Sequence, residues 1–431
     1  MSKASCVISC PIDTYSGYGA RSRDFVKAVI KAKPDWDVQI MSQRWGNTRF
    51  GYLDDHKEYD LKSRIMPARL TKQPDVWMQI TVPNEFQKVG KYNIGVTAGI
   101  ETTVCDAKWI DGCNRMDMIL TSSNHSKDVF EKTIYTLTNN QTGQKQDLKL
   151  TAPVKVLFEG LRTDTYFKTE EYSGTEVKET LDSIKESFCY LVVGHWMQGN
   201  FGHDRKNIGY TIKAFLETFK NKSDAPALLL KTHTVGTSIM DRETILDKID
   251  QVRKTVKGVL PNIYLLHGEM TDSEINDLYN HPKVKAMVSL NKGEGFGRPL
   301  LEFTATGKPV IASGWSGQLD FLHREYAFLV GGDLENVHES AAVKETLLKE
   351  SKWFKPDDSQ VGTVLKDSFK NYKKYLTKSR KHRKYTTDNF SYQKMVEMVD
   401  SILTENVPEF AQQVELTLPK LNLPKLKKID G

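Results

Sequence analysis

Residues 289–303 read Ser289-Leu290-Asn291-Lys292-Gly293-Glu294-Gly295-Phe296-Gly297-Arg298-Pro299-Leu300-Leu301-Glu302-Phe303. An apolar run precedes them and helical spacing follows, so the stretch predicts a turn from a strand into a helix. Pro299 suits the first helical turn, where a missing N–H is no loss. Gly307 then ends the helix and Pro309 bars its continuation. Gly293, Gly295 and Gly297 let a ligand approach the backbone. The amides around Phe296, Gly297 and Arg298 then face an anion, a diphosphate for example, with the helix field adding about 0.3–1 kcal/mol per favourable charge. Glu294 in the turn is placed to accept hydrogen bonds from ligand hydroxyls. Glu302, one turn into the helix, points back toward its start and suits a vicinal diol such as ribose.

Outward from this turn, strands alternate with helices, the pattern of parallel sheets covered on both faces. Apolar runs at Cys6–Ser9, Val76–Thr81, Ile94–Thr97, Met118–Thr121 and Val154–Phe158 predict strands of a first Rossmann-like domain over 1–170. The polar stretch Thr138–Lys149 within it reads as an exposed hairpin or loop. The polar segment Thr165–Lys185 marks the boundary with a second Rossmann-like domain over 171–385. Its strands are expected at Phe188–Gly194, Ala227–Lys231, Ile263–His267, Val284–Leu290, Pro309–Ser313 and Ala327–Val330, with helices at Ile208–Phe219, Arg242–Lys257, Asp272–Tyr279 and Pro299–Thr306. Residues 386–410 predict a helix crossing back to the first domain, and 411–431, with two prolines, an extended or disordered tail. The fold class is therefore α/β, two Rossmann-like domains facing a cleft, with C-terminal helices. Ligands of open parallel sheets bind beyond the strand C-termini, which here face that cleft.

Composition narrows the class. At 431 residues the chain is too long for one ordinary domain. No apolar run is long enough to span a membrane, and the polar start Met1-Ser2-Lys3 does not read as a signal peptide. The five cysteines are odd in number and lack CxxC spacing, which argues against a disulfide framework or zinc site and for the cytoplasm. The formal charge of +6 is concentrated in 366–385, which holds seven lysines and two arginines against one acid. That segment reads as one basic helix. Asp35-Trp36-Asp37 falls between the first helix and second strand and reads as a solvated turn, so no metal site is expected.

The 289–303 window resembles the E-x7-E signature of glycosyltransferase family 4, retaining enzymes of the GT-B fold. Glu294 and Glu302 fall at that spacing, and Leu278-Tyr279 upstream and Gly307-Lys308-Pro309-Val310-Ile311-Ala312 downstream agree. The resemblance implies a nucleotide-sugar donor as co-substrate, with no further cofactor required. Ser16-Gly17-Tyr18-Gly19-Ala20 resembles the family's glycine loop over the donor. Arg205-Lys206-Asn207 resembles its R-K-N element, which puts Lys206, with Arg205, on the donor phosphates; the loop before it is longer than usual and lacks the arginine often found there. Lys231 is either a second cation for the donor or a surface lysine. His267-Gly268-Glu269-Met270 resembles the segment whose backbone holds the nucleobase. Where many members carry a histidine, this chain has Gly99-Ile100-Glu101-Thr102. Glu101, with Trp109 following, is similar to a subset with glutamate there, as a base toward the acceptor, an orienting partner or a structural carboxylate. His125 reads as part of a helix cap.

The acceptor is less marked. Cys10-Pro11 through Asp24 resembles glycosyltransferases of large tailed bacteriophages, which implies a hydroxymethylated base in double-stranded DNA, reached by extracting the base from the duplex. The enzyme would then work in the host cytoplasm. The basic helix, with Phe369, Tyr372 and Tyr375 interleaved, fits a phosphate backbone; the same residues at helical spacing also fit a core-facing stripe. Surface-glycan or lipid-linked sugar synthesis is the competing enzymatic reading. A non-catalytic sugar-nucleotide or DNA-binding protein is the third, against which Glu294, Glu302 and Lys206 stand.

Overall fold

A computed structural model describes residues 3–67, 69–138, 141–234 and 236–410. The expected tail over 411–431 lies outside them. The first half runs β1 (Ser5–Cys10), α1 (Gly17–Ala32), β2 (Asp37–Ser42), α2 (Tyr52–Asp55), α3 (Tyr59–Ser63), β3 (Val76–Ile80) and β4 (Tyr92–Thr97). It continues through α4 (Ala107–Asn114), β5 (Met118–Thr121), α5 (Asn124–Lys132), β6 (Ile134–Thr138), β7 (Lys145–Lys149) and β8 (Val154–Val156). Its parallel six-stranded sheet has the order β2-β1-β3-β4-β5-β8, while β6 and β7 form a separate exposed hairpin.

The second half adds α6 (Glu176–Asp182), β9 (Cys189–Val193), α7 (Ile208–Phe219), β10 (Ala227–Lys231), α8 (Ile239–Lys254), β11 (Ile263–Leu266) and α9 (Asp272–Asn280). Then come β12 (Val284–Ser289), α10 (Arg298–Thr304), β13 (Val310–Ser313), β14 (Phe328–Val330), β15 (Gly332–Asn336) and β16 (Lys352–Pro356). The parallel sheet β11-β10-β9-β12-β13-β14 has the doubly wound order, three strands stepping one way and three the other from a central crossover. The chain ends in α11 (Asp358–Lys370), α12 (Tyr372–Phe390) and α13 (Tyr392–Asn406).

Lys352–Pro356, beyond the last strand expected from the sequence, is a further strand that pairs antiparallel with Gly332–Asn336. Two expectations need correcting. The 366–385 segment is not one helix, because Asn371 ends α11 and α12 starts anew at Tyr372. The helix that crosses back starts at Tyr392, not at 386, since α12 continues to Phe390.

That crossing is held from both sides. The Leu161 amide donates to the Phe390 carbonyl (2.7 Å), and the Tyr392 amide to the Leu161 carbonyl (2.8 Å). Met395, Val399 and Leu403 bury the apolar stripe of α13 in the same core cluster as Phe25 and Val29 of α1. Lys33 pairs with Asp400 at its far end (2.7 Å). On the other face of the turn, the buried Arg21 donates to the carbonyls of Leu157 (2.6 Å) and Phe158 (2.9 Å), fixing α1 to the chain leaving β8. α1 is thereby locked with its N-terminus in the cleft. No helix among the described residues is long and apolar enough to cross a membrane.

Candidate active site

β12 delivers the chain to the cleft at Ser289, and the turn closes at Gly297, whose φ of 98° makes it the left-handed cap of α10. A side chain there would be strained. Glu294 is fixed on both sides of its backbone: its amide donates to Ser316 Oγ and its carbonyl accepts from the Gly317 amide, both at 2.9 Å. Ser316 itself sits at φ 72°. Glu294 as a residue is 7% exposed. One oxygen accepts from Lys206 Nζ at 2.5 Å and the other from Arg205 Nη1 at 3.3 Å. Arg205 also donates to the Gly293 carbonyl (2.9 Å), and its Nη2 lies 3.6 Å from Glu101 Oε1 in the first half. Burial alone would raise the Glu294 pKa, but Lys206 and Arg205 outweigh it and hold the carboxyl below its ordinary range. Burial pulls the Lys206 ammonium down, and Glu294 opposes this. The direction set by the geometry is an ionised pair, because each oxygen of the acid has its own cation.

Glu302 anchors the other side of the turn. Arg298 Nε donates to its Oε1 at 2.8 Å, and Arg298 Nη2 lies 2.8 Å from Asp24 of α1. The Asp24 contact is ionic without hydrogen-bond alignment, and that oxygen and Arg298 Nη1 are buried without a hydrogen-bond partner. Burial pushes the Glu302 pKa up to about 7 even though Arg298 opposes it. These groups line a cleft of about 290 Å³ together with Ser16, Gly17 and Arg23 from the first half and Met270 and Asp272 from the second. Gly17 opens α1 beneath the Ser16 cap.

Other expected residues sit differently. Gly19 faces inward, and a methyl there would lie 2.2 Å from the Thr14 carbonyl. The Phe296 ring is in the core against Phe321, ring centroids 5.0 Å apart, so only its backbone is available to a ligand. Lys231 donates to the Gly268 carbonyl, which joins two expected donor-site residues to each other. Gly293 and Gly295 turn their Cα faces toward the first half. Methyls on them would lie 1.9 Å from the Glu101 carbonyl and 2.4 Å from the Ala98 carbonyl, so these glycines let the two halves touch. Ser123, not His125, caps α5; the His125 ring packs edge-on to Trp315 at 4.8 Å, and burial lowers its pKa to about 4. Asp24 and Ser316 were not singled out from sequence. Each is an ordinary polar residue, and its importance comes from a partner distant in the chain.

Residues 195–349 match the family model described as Glycosyl transferases group 1. No curated protein matches the chain. Among solved structures, a glycosyltransferase from Rickettsia africae superposes with a TM-score of 0.63 at 14% identity, covering 94% of this chain and 99% of that one. The Anabaena protein HepE, solved in complex with UDP-glucose, gives 0.60 at 12% identity over 93% and 99% of the two chains. Sucrose-phosphate synthase from Thermosynechococcus elongatus gives 0.59 at 12% identity over 94% and 98%. These likenesses establish the fold as GT-B. Residues 195–349 thus carry a domain of the Glycosyl transferases group 1 type, seated in that fold.

Proposed function

We propose that the cleft binds a nucleotide-sugar and transfers its sugar, with retention, to an acceptor hydroxyl. The observation that carries this reading is the ion network Glu101–Arg205–Glu294–Lys206, which joins the two halves across the cleft. A diphosphate entering there competes with Glu294 for Lys206 and Arg205, and Glu294 is released toward the sugar hydroxyls. As the bond to the anomeric carbon breaks, charge builds on the leaving phosphate, and fixed cations stabilise it without reorganising. Among the described residues, the amides of Phe296 and Gly297 donate to no protein acceptor, which suits them to the same oxygens. Glu302 takes the ribose diol in place of Arg298, and Gly17 closes over the phosphates. The backbone around Gly268 holds the base, with Lys231 steadying that segment. Glu101 orients Arg205 toward the donor.

HepE was solved with UDP-glucose, which makes UDP-glucose the first donor to test. For the acceptor we propose a hydroxymethylated base in double-stranded DNA, supported by the resemblance of the Cys10–Asp24 stretch to phage glycosyltransferases. The experiment is a donor screen against duplex DNA containing hydroxymethylcytosine, read by the mass of the released nucleosides. A hexose or pentose adduct is expected. DNA unmodified by every donor, alongside normal donor hydrolysis, removes the DNA acceptor and leaves the donor reading intact; absence of hydrolysis removes both.

A further inference from the structure

At the opposite end of the second sheet from the cleft, where β12 and β13 begin, lies a pocket of about 340 Å³. Lys168, Lys285, Lys308, Arg380 and Arg383 line it, and among the described residues no acid does. Among the described residues none of the five forms an ion pair with a carboxylate. Lys308 is the most constrained. Its ammonium donates to the carbonyls of Tyr279 (2.7 Å) and His281 (2.8 Å), which leaves one of its three hydrogens unused. Burial, with Lys285 and Lys168 beside it, holds its pKa well below the ordinary lysine range. Tyr372 and Leu376 form an apolar wall, and the Tyr372 hydroxyl donates to the Lys285 carbonyl (3.2 Å). Gly307, at φ 72°, lets the stems of Arg380 and Arg383 lie close against the end of α10.

Gathering five basic side chains without a counter-charge is unfavourable for their charged forms, and a bound anion offsets it. The volume is too large for a bare oxyanion, since sites for small organic ligands start at about 300 Å³. Arginine forks and a lysine point charge are the usual partners of phosphate. We propose that this pocket binds the phosphate group of an organic phosphate ester, whose apolar part lies against Tyr372 and Leu376. The site is separate from the donor cleft, because the strands between them run from one to the other.

Titration calorimetry of the intact protein with phenyl phosphate, compared with inorganic phosphate, tests the site. Phenyl phosphate is expected to bind more tightly, to bind equally well to Lys206→Ala, and to lose about tenfold or more in affinity in Lys285→Ala/Arg383→Ala. The double variant removes mutually repelling charges, so its melting temperature is expected to hold or rise, which separates lost binding from lost folding. A duplex oligonucleotide that displaces phenyl phosphate identifies the natural phosphate as that of a nucleic-acid backbone; failure to displace it identifies a small phosphate ester. Absence of binding, equal affinity in the pocket variant, or loss of binding in Lys206→Ala overturns the proposal.

Discussion

Glu302 and Glu294 are both buried carboxylates within one turn of chain, yet their pKa values move in opposite directions. Glu294 has a cation on each oxygen and is held low, whereas Glu302 has one arginine shared with Asp24 and is raised to about 7 from an ordinary 4.5. An acid raised on folding binds more protons folded than unfolded, so its contribution to stability falls as pH rises from 4.5 through about 7. A ribose diol donates to the ionised form and so draws the proton off. Affinity for the nucleoside diphosphate of the proposed donor is therefore expected to increase between pH 6 and 8 by about tenfold per unit of pKa recovered, with proton release seen by calorimetry in buffers of different ionisation enthalpy. The phosphate titrates in the same range, so the comparison is with Glu302→Gln, which should lose this part of the dependence. Identical proton counts for the two proteins would remove the diol role. For Lys206, which the proposed reaction sets against the leaving phosphate, Lys206→Ala is expected to lower kcat by about 10²–10³, with a smaller change in KM. A KM effect alone would make it a ground-state binder.

At the scale of elements, the turn between β12 and α10 does two things at once. Gly293 and Gly295 bring the halves into backbone contact, and Gly297 turns the chain into the helix. Gly295→Ala places a methyl against the Ala98 carbonyl, so it is expected to hold the cleft open rather than to unfold either half. Small-angle scattering should show a larger radius of gyration, and turnover should fall with little change in melting temperature. An unchanged radius would mean that the two halves absorb the methyl by local shifts. Sequence periodicity found these elements where burial imposes a pattern: Ala227–Lys231 and Ile208–Phe219 are the observed bounds of β10 and α7 because their apolar positions face a core. It failed for the β15–β16 hairpin, because β15 is nearly all exposed and so shows no apolar alternation. The break at Asn371 was hidden too, since basic residues continue on both sides of it. The E-x7-E acids were marked by the family resemblance, but Ser316 and Arg205 meet Glu294, and Asp24 meets Arg298 beside Glu302, only through tertiary packing.

Across the whole molecule, one core cluster runs without interruption from the first sheet, through Tyr166 and Leu181, to Leu278 and Leu301 of the second half, and α13 packs into it. Two Rossmann-like units joined only by a linker would melt separately, each with its own enthalpy. Here Met395, fully buried, sits where α13 returns to α1, and its sulfur accepts from the Gly160 amide (3.2 Å). The shared core predicts a single calorimetric transition whose van't Hoff and calorimetric enthalpies agree. Met395→Ala removes side-chain volume from that junction at a cost of about 2–5 kcal/mol. If the halves are coupled, the whole transition moves down by several degrees and remains single, because ΔΔG at the junction is charged to both halves together. If the crossing helix merely rests on the first half, the same substitution splits the trace: the first half melts early, while the second half, with its own cluster around Phe215 and Leu230, stays at its original temperature. A split trace would also mean that the cleft opens by hinge motion at the Leu161–Tyr392 crossing, whereas a single shifted transition leaves the glycine turn at Gly293–Gly295 as the point where the halves part.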